Sequence, residues 1–375
     1  MQTLIAEPAR QNASLLSVQV LRGIAAVLVV MHHAGRAVTV HWPTQWPKPS
    51  LWLFSSESLI AIGAVGVDIF FVISGFIMVL VSSPYRSGAK PPRDFLIRRL
   101  IRIYPMYALT TLSLVAMAAV HFYRHRDEAF SFSAARIIDA LAFIPSFNEK
   151  GLVQPILGQG WTLFYEMFFY LCFTIVLTFS KRHLLLPLVA TFGTTLIVTR
   201  AIGAKDSAIL TFLSDTIIIE FLFGCAVGLL FQRDALHSRL RFVTLGFGVA
   251  GFATSLPFGM PEDLRFLIWG VPASLLLISF LQFEKAHLRW PHWLLVIGNA
   301  SYSIYLLHVY FVYQLRDIIV KSTPRLAALS GDALLIGLSI VAVALGTAVY
   351  LLVERHINAG LNGAYRGLMK TTMKG

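Results

Sequence analysis

The chain has 375 residues, of which 57% are hydrophobic and 13% charged, and its mean hydropathy is +0.71. Soluble domains carry about 25% charged residues, so these proportions exclude a water-soluble globule. The formal net charge is +12, but the 31 Lys and Arg residues are scattered between long apolar runs, without the basic stripe or aromatic platform that binds nucleic acid.

A helix crosses a hydrocarbon layer of about 30 Å with roughly 20 mostly apolar residues. In chain order, segments near 15–34, 59–81, 103–120, 161–180, 184–199, 208–231, 242–257, 266–283, 293–313 and 333–353 approach that requirement. The expected fold is an all-α integral membrane protein, with about ten transmembrane helices around a polar central cavity. The apolar stretch 136–147 is short, carries Asp139 and runs into Pro145, so it is counted as non-spanning. That count gathers Arg86, Lys90, Arg93, Arg98, Arg99, Arg102, Arg182, Arg233, Arg239, Arg241 and the C-terminal cations on one side. The positive-inside rule makes this side the cytoplasm and places both termini there.

The division expected is a cytoplasmic tail at 1–14, a transmembrane domain at 15–353 and a basic cytoplasmic tail at 354–375. Arg22 interrupts the first apolar run and Ala34-Gly35-Arg36 is a poor cleavage site, so the first span is expected to stay in the protein. No internal repeat relates the first spans to the last, which weakens a secondary-transporter reading. Cys172 and Cys225 lie in apolar runs and read as packing residues.

An ionisable side chain at the bilayer centre costs about 2.5–3.5 kcal/mol on insertion scales. Arg22, His32, His33, Asp68, Glu166, Asp215, Glu220 and His308 break the apolar runs, so most of them should face a buried polar chamber. At about 100° and 1.5 Å per residue, Arg22 and His33 fall within about 20° of one helix face and roughly 16 Å apart. His32 points about 80° away from Arg22. Arg22 and His33 are therefore expected to share one polar tunnel.

The segment from Leu21 to His33, Leu-Arg-Gly-Ile-Ala-Ala-Val-Leu-Val-Val-Met-His-His, resembles the first-helix motif of the acyltransferase 3 family of integral membrane O-acyltransferases. Four more segments are similar in order: Gly-Val-Asp-Ile-Phe-Phe-Val-Ile-Ser-Gly-Phe at 66–76, Arg-Arg-Leu-Ile-Arg-Ile-Tyr-Pro-Met-Tyr at 98–107, Gly-Trp-Thr-Leu-Phe-Tyr-Glu-Met-Phe-Phe-Tyr at 160–170 and Ile-Gly-Asn-Ala-Ser-Tyr-Ser-Ile-Tyr-Leu-Leu-His at 297–308. Val-Glu-Arg at 353–355 closes the pattern, and the form around Trp161 looks most like the exopolysaccharide-production acetyltransferases. His32 departs from the family, which often has an aromatic residue there.

The resemblance implies transfer of an acyl group, usually acetyl, from cytoplasmic acetyl-CoA to a sugar hydroxyl of an exopolysaccharide or lipid-linked glycan at the bacterial inner membrane. Its partners would be acyl-CoA, the saccharide acceptor and membrane lipid, without nucleic acid; association with a second copy is left open. His33 is the candidate general base, since neutral imidazole suits proton removal near neutral pH. Arg22, Arg99 and Arg102 are the candidate donor-binding residues, because guanidinium groups pair with phosphates; the alternative for them is snorkelling or anchoring at the headgroups.

Glu166 and Asp68 are candidates to orient an imidazole or to accept hydrogen bonds from sugar hydroxyls. Trp161 and Tyr165 are candidate sugar platforms, although aromatic belts put the same residues at membrane interfaces. Ser74 and Gly75 are expected to let a helix or the CoA arm approach closely, and His308 is assigned to the acceptor side. His32, Tyr302 and Tyr305 read as interhelical hydrogen-bonding residues. Asp215 and Glu220, about 140° apart on a helix, do not read as a carboxylate pair. No His, Asp and Glu spacing suggests a metal site. Competing readings are a proton-coupled transporter or flippase of a glycan or lipid, a succinyl-CoA-using acyltransferase and a non-catalytic export factor.

Overall fold

The computed structural model describes residues 15–45, 48–124, 132–180, 182–203, 206–258, 263–322 and 330–372; the expected tail at 1–14 lies outside them. Among the described residues the only strand-like pairing is one bridge between Phe147 and Val153. The helices are α1 (Leu16–Thr39), α2 (Glu57–Ala61), α3 (Val65–Val81), α4 (Ser83–Arg86), α5 (Pro92–Arg124), α6 (Ala134–Leu141), α7 (Trp161–Phe179) and α8 (Leu185–Ile202). They continue with α9 (Ala208–Leu213), α10 (Ile219–Gln232), α11 (Arg241–Ser255), α12 (Val271–Lys285), α13 (His292–Ser322), α14 (Gly331–Val349) and α15 (Arg355–Thr372). The chain is thus the all-α, multi-pass membrane protein that its apolar runs announce.

Eight helices among the described residues are long and apolar enough to cross a membrane. The two other expected spans are shorter. The run 208–231 is interrupted after Leu213, where Asp215 Oδ1 accepts from the Ile217 amide at 3.0 Å and starts the turn that leads into α10. Hydropathy missed this stop because a capping carboxylate acts through a single residue. Helix α11 has 15 residues, about 22 Å at 1.5 Å per residue, short of a hydrocarbon core of about 30 Å. The run 103–120 is instead the middle of the 33-residue α5, which starts with its arginine-bearing turns and holds Pro105 inside. Stretch 136–147 contains only the 8-residue α6. The expected basic tail is helical: a wide π-type turn at Tyr350–Glu354 joins α14 to α15, which meets α5 where the Arg98 guanidinium sits 5.4 Å over the Tyr365 ring.

Helix α3 lies between α1 and α10. An added Cβ at Gly75 would stand 2.0 Å from Phe221 O, and one at Gly224 would stand 1.9 Å from Val72 O, so α3 and α10 cross backbone against backbone. Helices α1 and α13 do the same, with Gly298 facing Gln19 O at 2.0 Å from its would-be Cβ. Lipid tails are as apolar as leucine, so such crossings are held by van der Waals contact that only small residues permit. Phe221 fills the space beside them, 4.4 Å from the Phe169 ring of α7 and 4.7 Å from the Phe71 ring of α3. At the opposite end of α1 from Arg22, Asp332 at the start of α14 accepts from the Trp52, Leu53 and Phe54 amides at 2.8, 3.2 and 3.1 Å and pins the loop before α2.

Overpacking a close crossing costs about 1–3 kcal/mol. Gly224→Ala and Gly298→Ala should therefore each lower the unfolding midpoint of the detergent-solubilised protein. Gly246→Ala, where a Cβ would meet nothing within 4 Å, should leave it unchanged.

Candidate active site

A cavity of about 320 Å³ lies among α1, α3, α5, α7 and α13. Gln19 and Arg22 enter it from α1, Arg99 and Arg102 from α5, and Ser74 and Phe70 from α3; Thr162, Glu166 and Tyr170 face it from α7, and Ser301, Tyr302 and Tyr305 from α13. Helical spacing explains the sharing: Arg99 and Arg102 are three apart, Glu166 and Tyr170 four apart, so each pair occupies one face. Glu166 Oε1 accepts from Ser74 Oγ at 3.1 Å and from the Tyr170 hydroxyl.

The arginines are left with few partners. Among the described residues none of Arg22, Arg99 and Arg102 forms an ion pair with a carboxylate. Arg22 Nη1 donates to Gln19 Oε1 at 3.3 Å. Arg99 Nε is buried without a partner, its guanidinium 5.8 Å over the Phe95 ring. Glu166 and Glu354 are close enough to influence Arg22 electrostatically, and Glu354 is occupied by Ser303 Oγ at 2.5 Å. Three partly unsatisfied guanidinium groups thus line one cavity, and guanidinium donors of this kind suit anionic oxygens.

Beyond this cavity three histidines meet. The His33 ring lies 5.0 Å from that of His32 and 4.9 Å from that of His308 on α13. His32 Nδ1 bonds Ile60 O at 2.8 Å, and His308 Nδ1 bonds Tyr305 O at 2.7 Å. A carbonyl only accepts, so each Nδ1 carries a proton, and in the neutral ring each Nε2 presents a lone pair; among the described residues His308 Nε2 is buried without a partner. Arg22 lines the cavity, and His33 is not among its lining residues. Tyr305 connects the two regions, since it lines the cavity while its ring lies 5.8 Å from His308. Its hydroxyl donates to Gln159 O at 2.9 Å.

A family model described as an acyltransferase domain matches residues 15–353. The chain belongs to this acyltransferase family. The exopolysaccharide production protein ExoZ of Rhizobium meliloti (strain 1021) is 32% identical over 321 residues, covering 80% of this chain and 94% of the relative. O-acetyltransferase OatA of Staphylococcus aureus (strain NCTC 8325 / PS 47) is 28% identical over 283 residues, covering 66% of this chain and 45% of that protein. No solved structure matches. The protein is a multi-pass membrane O-acyltransferase.

Within this acyltransferase the other sequence-chosen residues separate. Ser74 lines the cavity, but Gly75 does not: its missing side chain admits the α10 backbone rather than a ligand. Asp68 is fully buried and bound bidentately by Arg265, Nε to Oδ1 at 2.8 Å and Nη2 to Oδ2 at 2.9 Å. It is therefore committed to an ion pair and makes no contact with His33, and Glu166 likewise makes its bonds to hydroxyls and not to an imidazole. Trp161 and Tyr165 line a separate cleft of about 220 Å³ with Asp215, where the Tyr165 hydroxyl donates to Phe212 O at 3.0 Å. Sequence reasoning missed Arg265, which finds Asp68 across 197 positions. It also left Glu354 without a role, although the Val-Glu-Arg motif had marked it.

Removing one partner of a buried ion pair costs about 3–5 kcal/mol because the other charge is stranded. Asp68→Ala should reduce thermal stability by an amount of that order, and adding Arg265→Met should recover much of it in the same melting assay. A catalytic role for Asp68 independent of this pair would leave the double variant stable but inactive.

Proposed function

We propose that the protein transfers an acetyl group from cytoplasmic acetyl-CoA to a sugar hydroxyl of an exopolysaccharide or lipid-linked glycan precursor at a bacterial inner membrane. The observation that carries this reading is the set of three guanidinium groups that, among the described residues, have no carboxylate ion-pair partner around one cavity, in a chain that aligns with 94% of an exopolysaccharide production protein. Arg22, Arg99 and Arg102 hold the donor phosphates, and the pantetheine arm runs inward toward Tyr305 and the histidines. The distance from Arg22 to His33 along α1, roughly 16 Å, suits such an arm.

In the transfer, His33 takes the acceptor hydroxyl proton as the oxygen bonds to the acetyl carbonyl carbon. The carbon–sulfur bond then breaks, and the histidine returns the proton to the CoA thiolate. His308, held by Tyr305 O, positions His33 through ring contact. Ser74 and Tyr170 donate to Glu166 Oε1 and so hold the orientation of its carboxylate in the cavity.

Loss of a positioned general base costs about 10²–10⁴-fold. His33→Ala should lower kcat by that order in purified protein given labelled acetyl-CoA and its glycan, with acetyl-CoA binding retained. Arg99→Ala and Arg102→Ala should instead raise the acetyl-CoA KM about 10- to 100-fold, the worth of a charge-assisted hydrogen bond. Full transfer by His33→Ala would remove this imidazole from the chemistry. Label trapped on the protein before acceptor is added would replace direct transfer by an acyl-histidine route.

A further inference from the structure

A second pocket of about 320 Å³ lies beside the histidines, lined by His32, Arg36 and Thr39 of α1 and by Glu57, Ser58 and Ile60 of α2. Arg36 follows His32 by four residues and His33 by three, so all three share one side of α1. Arg22 is 14 residues earlier, about 21 Å along the axis. Helix α1 thus carries a guanidinium toward each end with imidazoles between them, and each guanidinium opens into a different cavity.

The pocket wall is firmly seated. A Cβ at Gly35 would stand 2.6 Å from Ile60 Cγ2, and His32 Nδ1 donates to Ile60 O, so α2 is clamped on α1. The polar groups facing the pocket are mostly acceptors. His32 Nε2 keeps a lone pair, Thr39 Oγ1 donates to Gly35 O at 2.8 Å and retains its acceptor capacity, and Glu57 offers an exposed carboxylate. These suit sugar hydroxyls, which donate. Arg36 is different: half-buried, it forms no ion pair and no side-chain hydrogen bond among the described residues, even with Glu57 in the same pocket. Among the described residues Glu57 is the one acidic side chain lining the pocket, and past the end of α1 Arg316 is paired with Asp317 at 2.7 Å. His41, just past the end of α1, is lowered from the ordinary imidazole value first by burial and then by Arg36, Arg316 and Lys150.

We propose that this pocket is the acceptor subsite and that Arg36 selects acceptors carrying an anionic group, a sugar carboxylate or the phosphate of a lipid-linked glycan. The inference rests on the acetyl-transfer reading: His33 is not among the lining residues of this pocket, but its ring lies 5.0 Å from that of His32, which is, so an acceptor docked there sits one imidazole away from His33 and away from the donor arginines.

The test uses full-length protein and its Arg36→Gln variant in nanodiscs, transferring labelled acetyl from acetyl-CoA to oligosaccharides of the host exopolysaccharide. Methyl β-D-glucuronoside, methyl β-D-glucoside and undecaprenyl phosphate serve as competitors, and acetyl-CoA binding is measured in parallel. The expected result is an acceptor KM raised about tenfold or more in Arg36→Gln, the loss of one charge-assisted contact, with acetyl-CoA affinity unchanged. Wild type should be inhibited by an anionic competitor and not by the neutral glucoside. Inhibition by the glucuronoside assigns a carboxylate, and inhibition by undecaprenyl phosphate assigns the lipid-linked phosphate. An unchanged acceptor KM, or equal inhibition by the neutral glucoside, overturns the subsite while leaving acetyl transfer standing. A wild-type protein that neither binds nor consumes acetyl-CoA overturns both.

Discussion

Guanidinium groups are never cheap to enclose, since removing one from water costs several kcal/mol even after relaxation, and this bundle treats its arginines in two opposite ways. Arg265 is neutralised by a bidentate carboxylate, Asp68, and its guanidinium lies 5.0 Å over the Trp269 ring. Arg22, Arg99 and Arg102 are enclosed without such a partner. The first arrangement ties the start of α3 to the segment before α12. The second leaves hydrogen-bond donors directed at a shared space, with Glu166 beside them, so further anionic charge entering that space lowers its electrostatic cost.

Packing and site geometry are parts of one arrangement. Gly298 lets α13 meet the α1 backbone at Gln19, next to Arg22. Continuing along α13, Ser301, Tyr305 and His308 recur at spacings of four and three and therefore stay on one side of the helix. The first two line the arginine cavity and the third reaches His33. The same register thus couples the guanidinium end of α1 to its imidazole end. On the other side of α3, the crossing at Gly75 and Gly224 holds Ser74 where its hydroxyl meets Glu166. A bulkier residue at either crossing would shift a helix that carries polar lining, so the small residues matter to the cavity as well as to stability.

Much of this was legible from the residues in order. Length and apolar content placed the chain in a membrane, and helical periodicity placed Arg22 and His33 on one side of α1. Ordered motifs led to the acyltransferase family that residues 15–353 match. Periodicity gives direction and rise but not which side chains of other helices gather beside a residue, and here Tyr305, which lines the Arg22 cavity, and His308, which meets His33, both come from α13. Trp161 and Tyr165 were chosen with Glu166 as neighbours in sequence, yet they face a different cleft, since adjacent positions on a helix turn by about 100°.

Hydropathy, charge placement and the 3.6-residue period act over a few turns, and these local quantities were enough to decide that the chain is helical, embedded and studded with ionisable groups needing shelter. Which shelter each group received was decided only when distant helices crossed. Asp68 met Arg265 across 197 positions and became an ion-paired anchor; Gly75 was consumed by the α10 backbone; the arginines of α1 and α5 converged without a carboxylate partner. Pairing, enclosure and access depend on contacts between segments far apart in the chain, and those contacts exist only in the assembled bundle.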